Sequence, residues 1–157
     1  MRGHKYIQTP DNRLFVLGNP EMWEVKFRST TVRGYQQGIR HTDAVYKASR
    51  ASGGDNYFSV CTYRTEALIV TGSMVENMSK KCQHYLIAKD RWSDLPSLNQ
   101  GRSTHASCTF AARYVMVFGG IDKQYRPMNS IEKFDMEKRR TASWELMTFK
   151  STVLPEM

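Results

Sequence analysis

The feature that most constrains this chain is an internal repeat whose copies lie 47 residues apart. Cys61-Thr62-Tyr63 recurs as Cys108-Thr109-Phe110 at that spacing. In the same register, Leu68-Ile69-Val70 falls on Val115-Met116-Val117. One spacing therefore superposes two successive segments, which indicates that the chain is assembled from similar structural units.

Short apolar runs that end at glycine predict β-strands. Each run has four or five residues, is rich in β-branched or aromatic side chains, and shows no helical spacing with recognisable caps. A continuous apolar run is typical of a strand that is buried on both faces. The runs are Leu14–Leu17 before Gly18, Ala67–Val70 before Gly72, and Tyr114–Phe118 before Gly119-Gly120.

The repeat continues downstream of these runs with a small drift in spacing. Tyr85 and Phe134 lie 49 residues apart, and Trp92 and Trp144 lie 52 residues apart. Variation in loop length between strands produces such a drift. Each unit is therefore about 50 residues long and has room for about four short strands.

This period and strand content are typical of kelch repeats, and residues 99–157 resemble a kelch blade. Residues 53–98 resemble a second blade, with Thr71-Gly72-Ser73 in place of the family's double glycine. Residues 1–52 are either a degenerate first blade or a divergent N-terminal segment, with Gly18-Asn19 at the glycine position and no clear fourth strand. The segments that carry the resemblance in the best unit are Gly101–Ala106 at the first strand, Tyr114–Gly120 at the second, Asn129–Asp135 at the third and Trp144 at the fourth.

The resemblance implies an all-β fold, a partial kelch-type β-propeller of four-stranded antiparallel blades. Glycine permits a positive φ and close backbone approach, while large aromatic side chains pack one blade on the next. For Arg102 the resemblance implies a role in ordering the turn between blades, although arginine also binds acidic groups well. We expect the structural repeat positions to be Gly72, Tyr85, Trp92, Arg102, His105, Gly119, Gly120, Phe134 and Trp144.

The number of blades is unusual for a propeller. At about 50 residues each, the 157 residues hold about three blades, whereas propellers usually close with roughly four to eight. An arc of three blades would leave two large apolar blade faces exposed. We therefore expect that the chain needs further blades or another chain to close the propeller, and that by itself it is poorly soluble or oligomeric.

The sequence predicts no catalytic residue, no metal site and no cofactor. The three cysteines show no CxxC pair, and the four histidines do not have metal-ligand spacing. The equivalent Cys61 and Cys108 are predicted to be small, buried packing residues. No apolar stretch approaches the roughly 20 residues needed to span a membrane. We expect a cytoplasmic protein, because the odd number of cysteines argues against a disulfide framework.

We expect the chain to be a non-catalytic scaffold that binds a protein partner through loops after the second strand of each blade. These loops are Met74–Lys81 and Ile121–Met128, and the partner-binding candidates are Asp122, Lys123, Tyr125 and Arg126. Two alternatives stay open. The chain could be a fragment of a propeller enzyme, an oxidase or a carbohydrate-active enzyme, although the Tyr, Cys and His spacing does not support a copper oxidase. The formal charge of +8 could instead favour nucleic acid binding, although the Lys and Arg residues are scattered.

Overall fold

A computed structural model describes residues 4–18, 21–32, 35–47, 57–74 and 79–147 of the chain. Within these ranges the protein forms twelve β-strands and two short 3₁₀ segments, Ile87–Lys89 and Met136–Lys138. The strands are β1 (Lys5–Gln8), β2 (Leu14–Leu17), β3 (Met22–Val32), β4 (Tyr35–Lys47), β5 (Ser59–Tyr63), β6 (Ala67–Thr71), β7 (Cys82–Leu86), β8 (Arg91–Leu95), β9 (Ala106–Phe110), β10 (Tyr114–Phe118), β11 (Ile131–Asp135) and β12 (Glu145–Met147).

The strands form three four-stranded antiparallel sheets, each a meander in chain order. We call them blade 1 (β1–β4), blade 2 (β5–β8) and blade 3 (β9–β12). The first strands of successive blades contact each other, β1 with β5 and β5 with β9. The blades are therefore arranged around a common side on which the first strands lie. This arrangement confirms the predicted all-β fold, a partial propeller of four-stranded antiparallel blades.

Strand register follows the sequence repeat residue by residue. Cys61 pairs with Ile69, and 47 residues later Cys108 pairs with Met116. The drift in spacing appears only after the second strand, as expected from the longer loop that connects β10 to β11. Equivalent positions in two blades therefore lie on the same face of their respective sheets.

Blade 2 is covered on both faces, which explains its continuous apolar run. Leu68 and Val70 pack toward blade 1 in one apolar cluster. Ala67 and Ile69 point to the opposite face and pack toward blade 3 in a second cluster. We call the side of a blade that faces the preceding blade its N-side face, and the other its C-side face. Every residue of β6 is buried, because alternate side chains enter different inter-blade cores.

The described residues cover blade 3 on one face, the face toward blade 2, and leave its other face open. Val115 and Val117 are fully buried against blade 2, while Met116 between them is only half-buried on the C-side face. Cys108 lies on that same open face and is exposed. The prediction that Cys108 is buried like Cys61 was wrong, because Cys61 faces blade 3 and no described blade follows Cys108.

Aromatic side chains fill the inter-blade cores at the repeated positions. Tyr85 and Phe134 are fully buried, and their rings lie 5.3 Å and 5.2 Å from those of Trp92 and Trp144, respectively. The indole Nε1 of Trp144 donates to the carbonyl of Pro96 at 2.8 Å. This bond satisfies the polar end of a buried tryptophan and ties β12 to the segment that precedes blade 3.

Blade 1 is a complete four-stranded sheet. β3 and β4 form an antiparallel pair in which Met22 lies opposite Lys47 at one end and Val32 opposite Tyr35 at the other, with irregularities around Ser29. The expectation that this unit lacks a clear fourth strand was wrong. Tyr35–Lys47 carries many polar residues, and its pairing with β3 outweighs its weak strand pattern. No helix among the described residues is long and apolar enough to cross a membrane.

Candidate binding groove

The candidate site lies at one edge of blades 2 and 3, where three connecting segments meet. Because the strands alternate in direction, the segments after β6, β8 and β10 all emerge at this edge. We call this edge the upper edge. The opposite edge, which carries the turns at 64–66 and 111–113, is called the lower edge. Part of the predicted loop Met74–Lys81, residues 75–78, lies outside the described residues.

Two adjoining cavities of about 310 and 640 Å³ lie between these segments. They share Ser79, Asp122, Lys123 and Gln124 as lining residues. We call the combined depression the groove. Its remaining lining mixes the polar residues Ser73, Ser103, Asn99, Gln100 and Lys80 with the apolar residues Met74, Ile121 and Met128. A depression lined by both hydrogen-bonding and apolar groups is typical of surfaces that bind a segment of a partner protein.

The loop on the blade 3 side of the groove is organised by the carboxylate of Asp122. Its Oδ1 accepts hydrogen bonds from the backbone N–H groups of Gln124 and Arg126 at 2.8 and 3.0 Å. Its Oδ2 accepts from Arg126 Nε at 2.8 Å. These bonds lower the pKa of Asp122, the backbone bond from Arg126 most of all. The carboxylate therefore stays ionised and holds the loop in one conformation.

Tyr125 stands at the tip of this loop. Its backbone has φ +60 and its side chain is 70% exposed. The N–H of Tyr125 donates to the carbonyl of Asp122, and the N–H of Asp122 donates to the carbonyl of Arg126, both at 3.0 Å. An aromatic residue is thus presented to solvent from a fixed backbone.

The four partner-binding candidates therefore come together at one site. Asp122, Lys123 and Tyr125 line the groove, while Arg126 lies at the base of the loop tip and pairs with Asp122. Arg126 thus has a structural role in the loop as well as an exposed side chain. Sequence inspection identified the loop but not the internal pairing that orders it.

Beneath the groove lies a fully buried ion pair. Arg102 Nη2 donates to Glu132 Oε1 at 2.9 Å, and both side chains are 0% exposed. Arg102 also donates to the carbonyl oxygens of Gly119 and Ser130. Its Nε has no hydrogen-bond partner among the described residues.

Glu132 completes its coordination with backbone groups of the preceding segment. The N–H groups of Asn99 and Gln100 donate to its carboxylate at 2.7 and 3.0 Å. The β8–β9 connection is therefore clamped to the third strand of blade 3. Sequence analysis missed Glu132, although alternation along β11 places it on the same face as the core residue Phe134, where a carboxylate needs a cation.

Close backbone approach explains the glycines at the ends of the second strands. Gly120 has φ +91, and a Cβ built there would lie 2.5 Å from the carbonyl oxygen of Ser103. Gly72 has φ +68 and would place a Cβ 2.4 Å from the carbonyl oxygen of Arg102. Ser73, which replaces the second glycine in blade 2, is absent from the described residues with positive φ, so its side chain is tolerated.

His105 joins the two glycine turns. Its Nε2 lies 2.8 Å from Thr71 Oγ1, its ring is adjacent to Gly72, and its Cβ and Cα are adjacent to Gly120. Burial lowers the pKa of His105 to about 3, with smaller contributions from the charges of Arg102 and Lys5. The ring is therefore neutral at physiological pH, and its contacts with Thr71 and the two glycine turns link blade 2 to blade 3.

The buried thiols are far from reactive. Burial raises the pKa of Cys61 to about 11 and also raises that of Cys82. No group of three or more His, Cys, Asp or Glu side chains in the described part of the chain could hold a metal ion.

Comparison with known proteins identifies the repeat. The kelch motif family matches residues 102–148, the segment that includes blade 3 and the approach to it. Residues 102–148 are similar to a kelch repeat. The resemblance inferred from the sequence is thereby confirmed, and the sheets described above give the chain a partial kelch-type propeller.

One similar curated protein is a RING finger domain and kelch repeat-containing protein of Dictyostelium discoideum. The two sequences are 27% identical over 97 residues, which is 60% of this chain and 9% of that protein. The chain thus spans less than a tenth of this kelch relative.

The solved structure of YjhT has a similar fold. It superposes with a TM-score of 0.72 at 10% sequence identity, over 96% of this chain and 52% of YjhT. At this identity the likeness shows the fold alone. The chain therefore spans about half the length of YjhT.

Proposed function

We propose that this kelch arc is a non-catalytic interaction scaffold that binds a segment of a partner protein in the groove. The observation that carries the proposal is the exposed Tyr125, held on a hydrogen-bonded loop at the rim of the groove. Kelch repeats generally serve as protein-interaction modules, which supports this assignment for a chain with a matching repeat.

Preorganisation of the loop favours binding. The Asp122 carboxylate fixes the backbone around Tyr125 before a partner arrives, so little conformational entropy is lost on association. Tyrosine is also enriched among residues that dominate interface energies. The ordered Tyr125 is therefore the best candidate for an anchor.

The charge of the groove favours acidic groups in the partner. Lys80 and Lys123 both line it, and the carboxylate of Asp122 pairs with Arg126. Complementary charges speed association and fix orientation, and their effect weakens as salt is added.

A non-catalytic role is supported by the protonation states of the buried groups. The raised pKa values of Cys61 and Cys82 keep both thiols protonated, and the lowered pKa of His105 keeps its ring neutral. A general base or nucleophile needs a pKa close to the working pH. A reducing, cytoplasmic compartment suits the proposal, because Cys61, Cys82 and Cys108 are free thiols.

The test compares capture of cellular proteins by the wild-type chain and by variants on opposite edges. Tyr125→Ala should reduce specific capture by about thirtyfold, which corresponds to the roughly 2 kcal/mol of an interface anchor. Lys123→Glu should reduce capture as well. The control is Lys138→Glu, an identical change of charge at an exposed lysine on the lower edge. Quantitative mass spectrometry of bound proteins provides the measurement.

Two results would overturn the proposal. One is a capture profile that Tyr125→Ala and Lys123→Glu leave unchanged. The other is an equal loss in Lys138→Glu, which would indicate a general charge effect rather than recognition in the groove.

A further inference from the structure

The segments that join the third and fourth strands of each blade all lie at the lower edge. Strands alternate in direction within each meander, so the third strand ends at the same edge as the first. In blades 2 and 3 these segments contain the two 3₁₀ turns. In blade 1 the third and fourth strands continue instead as a two-stranded ribbon. We call the three segments the outer connections, which are residues 26–32 with 35–43, residues 87–91 and residues 136–141.

The ribbon of blade 1 projects beyond its own sheet. β3 extends from Met22 to Val32, but it pairs with β2 only as far as Val25. From there to its end it pairs with β4. At about 3.3 Å per residue, the ribbon reaches roughly 20 Å past the rest of the lower edge. A two-stranded ribbon is marginally stable by itself in water, so contact with a ligand would stabilise it.

The outer connections bring together cations that are far apart in the sequence. Their described residues include eight lysines and arginines and three acids, so they carry 8 − 3 = +5 of the chain's formal charge of +8. The basic residues look scattered along the chain, but the fold gathers them at one edge. Such an edge attracts anions over a distance. The cations are Lys26, Arg28, Arg40, Lys89, Arg91, Lys138, Arg139 and Arg140.

Nearby acids leave these cations available. Glu137 pairs with Arg64 at 3.0 Å and with Arg113 at 3.4 Å, two arginines of the hairpin turns. Asp90 accepts a hydrogen bond from the hydroxyl of Tyr85. In the outer connections of blades 2 and 3, the exposed cations that form no ion pair with a described carboxylate are Lys89, Arg91, Lys138, Arg139 and Arg140.

The composition of these connections favours a nucleic acid duplex over other polyanions. The apolar side chains of Ile87 and Met136 are 6% and 1% exposed, so residues 87–91 and 136–141 present no apolar anchor for a membrane. The same residues include no aromatic side chain on which an unpaired base could stack. A duplex instead offers regularly spaced phosphates to cations spread over several blades. A two-stranded ribbon is also narrow enough to enter the major groove of DNA.

We propose that the lower edge binds duplex DNA through its phosphate backbone. The outer connections of blades 2 and 3 supply exposed cations to the phosphates, and the ribbon of blade 1 extends the contact along the duplex. Recognition of phosphates carries no sequence information, so binding is independent of base sequence. The surface lies on the edge opposite the groove and does not rest on the function proposed there.

The first test is a titration of the chain against a short fluorescent DNA duplex of mixed sequence, followed by anisotropy at several salt concentrations. Each phosphate contact contributes about −0.9 to the slope of log affinity against log salt. Five contacts therefore give a slope of about −4.5, or a loss of about 500-fold between 50 and 200 mM salt. Absence of binding, or an affinity that salt leaves unchanged, would overturn the proposal.

The second test removes three cations from one outer connection. The variant should weaken binding at 0.1 M salt at least about tenfold and reduce the magnitude of the salt slope by about 2.7. Circular dichroism verifies that its β-structure is intact. The variant combines Lys138→Gln, Arg139→Gln and Arg140→Gln.

A matched control removes the same charge from the upper edge by combining Lys80→Gln, Lys81→Gln and Lys123→Gln. Its affinity for the duplex should change by less than about threefold, because charges on the far edge are screened from the phosphates. Equal losses in the two triple variants would indicate a general charge effect and overturn the assignment to the lower edge.

Three further probes distinguish the duplex from other ligands. They are the single strand of the same sequence, polyglutamate, and vesicles of equimolar phosphatidylcholine and phosphatidylserine. The wild-type chain should bind each of them more weakly than the duplex, and tighter binding of any of them would contradict the proposal. Nuclease treatment of the lysate keeps capture experiments on the groove free of proteins held through nucleic acid, so the two proposals can fail separately.

Discussion

Replacing Arg102 with methionine removes the cation beneath the groove and keeps a long, flexible apolar side chain in its place. Glu132, which is fully buried, then loses its 2.9 Å ion pair. Within the described part of the chain, it retains only the backbone N–H groups of Asn99 and Gln100. The carbonyl of Gly119 also loses the guanidinium N–H that lies 2.9 Å away.

The expected cost is set by the buried carboxylate. Breaking a buried ion pair by removing one partner typically costs about 3–5 kcal/mol, because the remaining charge is left uncompensated. Replacing both partners with apolar residues avoids that uncompensated charge. Arg102→Met should therefore lower the free energy of unfolding by about 3–5 kcal/mol, and adding Glu132→Leu should recover part of that loss.

Urea unfolding followed by tryptophan fluorescence at pH 7 provides the assay. All variants are compared at one protein concentration, because association would add to apparent stability. The single variants and the double variant together form a double-mutant cycle, whose coupling free energy should be clearly favourable for the native pair. An Arg102→Met protein within about 1 kcal/mol of the wild type would refute the reasoning, since such a small loss is far below that of an uncompensated buried charge.

Two further predictions concern the turns that join blades 2 and 3. The pKa of His105 is about 3 when folded and about 6.5 when unfolded, so the unfolded chain binds a proton first as the pH falls. The contribution of His105 to the free energy of unfolding is complete above pH 6.5 and should fall by about 1 kcal/mol between pH 7 and 5.5. Urea unfolding at several pH values should show a smaller fall in His105→Asn. An unchanged pH dependence in that variant would contradict a buried neutral ring. Gly120→Ala should lower the free energy of unfolding by more than about 1 kcal/mol, because φ at Gly120 is +91 and a Cβ would lie 2.5 Å from a backbone oxygen. Gly18→Ala, whose Cβ would meet mainly the side chain of His4, should cost less in the same assay, and the reverse order would contradict this account.

The core of blades 2 and 3 was predictable because repetition and alternation act together. The spacing of 47 residues aligns Cys61 with Cys108, and the paired strands preserve that alignment. The aromatic positions Tyr85 and Phe134 follow from the same repeat and are fully buried. Here local sequence pattern and tertiary packing agree.

The failures occurred where tertiary context decides the outcome. β4 is polar in sequence, and it forms a strand because β3 offers a long partner. Cys108 is exposed because burial depends on a following blade and not on its own strand. Both errors came from treating a local pattern as sufficient.

The candidate site was predictable only in part. An exposed loop with Tyr125 and Arg126 could be identified from composition, but the bonds from Arg126 to Asp122 depend on how the loop folds back. The groove itself needs residues from three separate connections, including Ser79 and Gln100. No sequence pattern states that such segments meet, because their proximity follows from the stacking of blades.

Consecutive blades repeat the same four-stranded meander in the same register, and the inter-blade cores and the groove both depend on that repetition. A nuclear Overhauser spectrum of the chain measures this directly. It should show cross-strand backbone contacts between Val60 and Val70, and equivalent contacts between Ser107 and Val117. Helical contacts from residue i to i+3 across 57–72 or 104–119, or cross-strand contacts in only one of the two segments, would contradict it.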